Sequence, residues 1–223
     1  MTDQELFAHV DHTCLKPEAT PAEIETLCAE ALRYGTAAVC VNGGYVPLAR
    51  QLVGDRCKVC AVIGFPLGAG STAAKAAEAA DAVENGADEI DMVLHIGRLK
   101  AGEDEYVLRD IQAVKAAIGE RVLKVIIETC LLTEEEKLRA CRIVTRSGAD
   151  YIKTSTGFST GGATFADVEL FARNIGPGVK IKAAGGIRTR EDMEEFLRLG
   201  ASRLGTSSAV KILCGSAPKT GEY

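Results

Sequence analysis

The stretch SGADYIKTS at residues 147–155 is nearly echoed by NGADEIDMV at 85–93, and that echo decides the fold. In each, a helical stretch ends at a glycine and an apolar run starts two or three residues later. The same unit returns as YGTAAVCVN (34–42) and LGASRLGTS (199–207). It varies slightly in VGDRCKVCAVIGF (53–65), IGERVLKVIIET (118–129) and IGPGVKIKAAGG (175–186). The glycine has a physical cause: the residue after a helix commonly turns left-handed, a conformation glycine adopts at least cost. Helix starts are equally legible. Thr20 with Pro21 and Glu23, and Thr133 with Glu136, read as capping boxes. Between these marks, EEEKLRACRIV (134–144) and EDMEEFLRL (191–199) are apolar at helical spacing.

Seven strands follow, near residues 37, 57, 89, 122, 151, 179 and 203. Most are near-continuous apolar runs, as parallel strands covered on both faces must be. AHVDHTCL (8–15), followed by the helix capped by Thr20, supplies a weaker eighth. An open doubly wound sheet could use seven strands. Eight alternating units point instead to an α/β (β/α)8 TIM barrel, a single domain over residues 1–223, and nothing in composition divides the chain.

Bulk composition excludes several classes. With 47% hydrophobic and 26% charged residues, the chain is an ordinary globular protein. Its net charge of −5, with scattered basic residues, speaks against a nucleic-acid footprint. The polar start MTDQELFAHV does not resemble a signal peptide. The most apolar stretch, VCAVIGFPLGAG (59–70), is too short and too rich in Gly and Pro to cross a bilayer. A cytoplasmic protein without membrane contact is expected. The eight cysteines sit singly in apolar segments and read as buried free thiols. Cys57 and Cys60 form the one C-x-x-C, but at strand spacing they face opposite ways. Three histidines with no helical H-x-x-x-H give no metal signature.

In such a barrel, chemistry gathers at the C-terminal mouth of the strands. Read with period two, one face collects Asp91, Lys124, Glu128, Lys153, Ser155, Lys180 and Lys182, while Ile90, Val125, Ile152 and Ile181 face the helices. Lysine is rarely buried, and lysines on consecutive strands beside an aspartate suggest a nucleophilic amine that forms a Schiff base. A neighbouring ammonium favours the neutral amine, because like charges repel. The aspartate then serves as a proton shuttle. The residues alone do not choose between Lys153 and Lys182. Glycines and hydroxyls beside them, Gly157, Gly185, Gly186, Gly205, Ser207 and Ser208, suit a phosphate held by backbone N–H groups.

VDHTCLKPEAT (10–20), EIDMVLHIG (89–97), KVIIET (124–129), IKTSTGF (152–158) and KIKAAGGIRT (180–189) together resemble the deoxyribose-phosphate aldolase family, in order along nearly the whole chain. The resemblance implies a class I aldolase that cleaves 2-deoxy-D-ribose 5-phosphate to glyceraldehyde 3-phosphate and acetaldehyde in deoxyribonucleotide catabolism. It implies no metal or organic cofactor, phosphosugar and aldehyde substrates, and a homo-oligomer, dimer or tetramer. By resemblance Lys153 forms the Schiff base, Lys182 perturbs it, Asp91 transfers protons and Lys124 joins their network. Phe158 is a departure, since some relatives carry a lysine there. Phosphate binding then falls on backbone amides and Arg188, which bears on tolerance of unphosphorylated substrates. A terminal tyrosine, here Tyr223, is linked to the site in that family.

Overall fold

The structure, a computed structural model, describes residues 1–215; Tyr223 lies outside them. Eight strands are present: β1 (Val10–Cys14), β2 (Ala38–Asn42), β3 (Lys58–Ile63), β4 (Glu89–Val93), β5 (Val122–Ile126), β6 (Tyr151–Lys153), β7 (Lys180–Ala184) and β8 (Ala201–Thr206). Each pairs in parallel with the next, and β8 returns to β1, so the sheet closes in the order of the sequence. The short N-terminal helix α1 (Asp3–Phe7) precedes the barrel. Helices α2 (Pro21–Tyr34), α3 (Val46–Val53), α4 (Thr72–Glu84), α5 (Ile96–Lys100) and α6 (Asp104–Ile118) occupy the first half. Helices α7 (Glu134–Ser147), α8 (Phe165–Asn174), α9 (Arg190–Arg198) and α10 (Ala209–Cys214) complete it. The expected (β/α)8 barrel is observed, with the weak eighth strand in place as β1.

The punctuation acts as its chemistry dictates. Thr20 and Thr133 each close a full capping box with the glutamate three residues on. Gly35 and Gly148 end α2 and α7 at φ 71° and 82°, where a side chain would be strained. Two apolar clusters follow from the alternation of the strands. The larger lies between barrel and helices and takes Val39, Ile90, Met92, Val125, Ile152 and Ile181. The smaller, Leu15, Ala38, Cys40, Cys60 and Val62, fills one side of the barrel interior. Charge occupies the other side.

Several expectations need correcting. Lys180 does not enter the interior: it is exposed at the start of β7, its ammonium 5.8 Å from the Tyr151 ring centroid. As the first residue of its strand, Lys180 sits at the N-terminal end of the barrel, where its ammonium reaches water. The cysteines are free, but Cys14 is only half-buried, and Cys130 and Cys214 are exposed. Cys57 and Cys60 do face opposite ways, into the outer and inner clusters. Outside the barrel, Lys75 of α4 is also buried, donating to Asp110 of α6 at 2.7 Å and to the Val93 carbonyl at 3.0 Å. Among the described residues, no helix is long and apolar enough to cross a membrane.

Candidate active site

Period two brings Asp91, Lys124, Lys153 and Lys182 together inside the barrel, all essentially buried. Asp91 is their common partner. Its Oδ2 accepts from Lys153 Nζ at 2.8 Å and from Lys182 Nζ at 2.6 Å, so the two amines share one oxygen as neighbour. Its Oδ1 accepts from Lys124 Nζ at 2.9 Å and from the Cys60 thiol at 3.1 Å. The network then extends to residues that the strand reading did not assign to it. Lys182 also donates to Asp11, Lys124 lies 2.6 Å from Glu89, and Arg203 bridges Asp11 at 2.5 Å and Glu89 at 3.0 Å. Signals for two of these existed, because Glu89 and Arg203 lie two residues before Asp91 and Gly205 on inward-facing strands. Asp11 lies on the first strand, whose faint pattern leaves the direction of its side chains undetermined.

Burial alone would push these groups toward their neutral forms, and opposite charge outweighs it. For Asp91, desolvation raises the carboxyl, but Lys124, Lys153 and Lys182 hold it well below the usual carboxylate range. Asp11 is likewise lowered against burial, by Lys182, Lys124 and Arg203. Burial disfavours charge on Lys182 and Lys124, yet the adjoining carboxylates raise both above the ordinary lysine value. The sequence reading supplied only the neighbouring ammonium; it lacked the carboxylates that keep that ammonium charged. Counted by charge, the linked cluster has four cationic side chains, Lys124, Lys153, Lys182 and Arg203, and three carboxylates, Asp11, Glu89 and Asp91. One cation is in surplus.

Above this cluster a cleft of about 290 Å³ opens at the C-terminal ends of the strands. Lys153 is the one lysine among the described residues that lines it; Lys124, Lys182 and Asp91 are fully buried and do not. Gly157, Gly185 and Gly186 line it from the loops after β6 and β7, with Arg188 following. Gly205, Ser207 and Ser208 complete it from β8 and beyond. All the expected phosphate-site residues therefore share one cavity with Lys153. Gly185 and Gly186 have φ of 80° and 75°, and backbone packs on backbone here. A Cβ on Gly162 would come within 2.4 Å of the Gly185 carbonyl. Phe158 stands at the mouth, edge-on to Phe65 with ring centroids 5.2 Å apart.

Glu128, expected among the inward charges, is buried but turned away from the lysines. Its carboxylate accepts from the Thr156 N–H at 3.2 Å and from the Thr156 hydroxyl, tying the loop after β5 to the loop that carries Gly157. Its backbone has φ 54°, the one positive value at a non-glycine among the described residues. Thr156 in turn accepts from the Phe158 N–H at 3.0 Å. Ser155 is fully buried, its hydroxyl without a hydrogen-bond partner.

Comparison with known proteins agrees with this geometry. Residues 6–215 match the model of the family described as DeoC/LacD family aldolase. A deoxyribose-phosphate aldolase of Streptococcus suis is 54% identical over 98% of this chain and 99% of its own. One from Listeria monocytogenes is 54% identical over 94% of this chain and 95% of its own. The solved deoxyribose phosphate aldolase of Aeropyrum pernix, described as a tetramer, superposes with a TM-score of 0.87 at 34% identity, covering 96% of this chain and 92% of its own. With a closed barrel, a lysine at the foot of its cleft and likeness along almost the full length, this chain belongs to the DeoC/LacD family of aldolases.

Proposed function

We propose that the chain reversibly cleaves 2-deoxy-D-ribose 5-phosphate to glyceraldehyde 3-phosphate and acetaldehyde through a Schiff base on Lys153. The observation that carries this reading is the surplus cation. Three carboxylates balance Lys124, Lys182 and Arg203, so the cluster is electroneutral when Lys153 is an uncharged amine. An ammonium cannot attack a carbonyl, whereas the amine can. Of the three buried lysines, Lys153 is also the one that lines the cleft.

The steps follow from that nucleophile. Lys153 adds to C1 of the open-chain sugar, and loss of water gives an iminium. A base removes the proton of the C3 hydroxyl; the C2–C3 electron pair moves into the iminium, and glyceraldehyde 3-phosphate departs. The remaining enamine is protonated at C2, and water releases acetaldehyde and the amine. Asp91, with Lys182 and a water, relays these protons. Lys124 keeps Asp91 oriented through Oδ1. Backbone amides of Gly185, Gly186 and Gly205, with Ser207, Ser208 and Arg188, hold the phosphate. Phe158 in place of a cation makes that end less dependent on charge and more tolerant of plain aldehydes. The same reading gives the chain a cytoplasmic place in deoxyribonucleotide breakdown and a homo-oligomeric assembly, as the tetrameric relative has.

Borohydride reduction in the presence of acetaldehyde tests the nucleophile. It is expected to add about 28 Da to Lys153, an ethyl group in place of a hydrogen, because the imine is trapped as an amine. Peptide mass spectrometry that finds Lys153 unlabelled, or the mass on Lys182, refutes the assignment.

A further inference from the structure

Cys40 and Cys60 are directly opposed on the parallel strands β2 and β3, and both side chains point into the barrel. Cys60 and Asp91 are in contact, and the two sulfurs and an Asp91 oxygen all lie within 4.8 Å of one another. We propose that Cys40, Cys60 and Asp91 form a binding site for a thiophilic divalent cation of the zinc group, and that filling it stops the aldolase. Two sulfurs on one tetrahedral zinc are about 3.8 Å apart, at a Zn–S length of about 2.3 Å, so a small inward rotation of each side chain closes the set. Three protein ligands leave the fourth position to water.

Net charge does not oppose the exchange. A dication entering this interior displaces two thiol protons, M²⁺ plus two R–SH giving M(SR)₂ plus two H⁺, so the buried cluster gains no net charge. Lys124 yields its contacts with Cys60 and Asp91 without being stranded, because Glu89 at 2.6 Å and Asp11 at 3.6 Å still face it. Thiolate ligands select soft ions over magnesium or calcium. The site adjoins the cleft: Cys40 pairs in register with Thr13 of β1, and Thr13 lines the cleft.

The two edges of Asp91 connect binding to inhibition. Lys153 and Lys182 hold Oδ2, while the cation takes Oδ1 from Cys60 and Lys124. A metal-bound carboxylate is a much weaker base, so the proton relay stalls although Lys153 stays reachable. This half of the proposal rests on the proposed role of Asp91; the binding half does not.

Cadmium ion alone is the probe. Titration of the purified chain is expected to show thiolate-to-cadmium charge-transfer absorption saturating at one ion per chain, with two protons released. Cys40→Ser should lose that absorption, with Cys40→Ala as the second variant should the serine protein not fold. Cleavage by the unaltered chain should fall in step with the absorption and return on chelation, while the Cys40 variants turn over with cadmium present. Absorption that is missing, or as strong in both Cys40 variants as in the unaltered chain, overturns the site. Absorption that depends on Cys40 but leaves turnover untouched overturns the inhibition, and with it the role given to Asp91. A chain with no aldolase activity would still give or withhold the absorption, so the two readings fail separately.

Discussion

Two places in this molecule bury lysine, and they are built differently. Between α4 and α6, Lys75 meets one carboxylate, Asp110, whose second oxygen accepts from Thr72 at 2.8 Å. A backbone carbonyl takes a further donor position of the ammonium. That pair is closed, balanced and sealed from solvent. Inside the barrel, four cations share three carboxylates, and one cation borders a cleft. Burial alone therefore does not make a lysine reactive. Lys75 faces one carboxylate of matching charge and no open space, whereas Lys153 belongs to a cluster with one cation in surplus and borders the cleft.

The largest expected effect separates the two places by function. Lys153→Ala should lower cleavage by roughly five to six orders of magnitude, as removal of a covalent nucleophile does, with little change in the thermal melt. If the variant keeps even a tenth of the activity, the comparison has the wrong lysine.

Lys75→Ala should do the reverse. It leaves Asp110 charged and unpaired in the interior, a loss of about 3–5 kcal/mol, while turnover per folded molecule is unchanged. Removing both partners together, as Lys75→Met with Asp110→Leu, should restore most of that stability. Chemical denaturation measures each arm.

A subtler change tests the charge count itself. In Lys182→Met, three carboxylates face three cations with Lys153 protonated, so the reactive form appears only at higher pH. The rising limb of the pH–rate profile should move toward alkali, with maximal turnover reduced far less than in Lys153→Ala. An unmoved limb would mean that charge balance does not govern the amine.

The smallest effect is on acid stability. Asp11 and Asp91 have lowered carboxyl values in the folded protein, so the unfolded chain binds more protons in acid. Their contribution is full above about pH 4, the unfolded carboxylate value, and declines as pH falls below it. Asp11→Asn should be less stable than the unaltered chain at neutral pH, and the gap should shrink in acid. Denaturation midpoints between pH 3 and about 7 read this directly.

Much of this was written in the chain at the scale of single elements. Glycines that end helices, as at Gly35 and Gly148, and Thr–Glu caps that start them, as at Thr20 and Thr133, mark the strands, because left-handed turns and orphan N–H groups are local problems with local solutions. Alternation then put Asp91, Lys124, Lys153 and Lys182 on one face. What alternation does not reveal is distance around the barrel. Asp11 lies 171 residues from Lys182 yet accepts a hydrogen bond from it, and only closure of β8 onto β1 brings them together. Lys180 shows the complementary blind spot, since period two says which side a residue faces but not how deep it sits. Cys40 and Cys60, read as solitary thiols, became neighbours for the same reason, through strand register.

Glu128 carries a consequence of its own. Holding a residue with a side chain at φ 54° costs about 1–2 kcal/mol, and a glycine there would relieve it. Glu128→Gly would also remove the carboxylate to which the buried Thr156 N–H and hydroxyl donate, a loss of about 1–3 kcal/mol for each donor left without a partner, so the strain is retained because it places that carboxylate. One unfavourable backbone angle is thereby exchanged for a fixed path of the chain from β6 into the cleft.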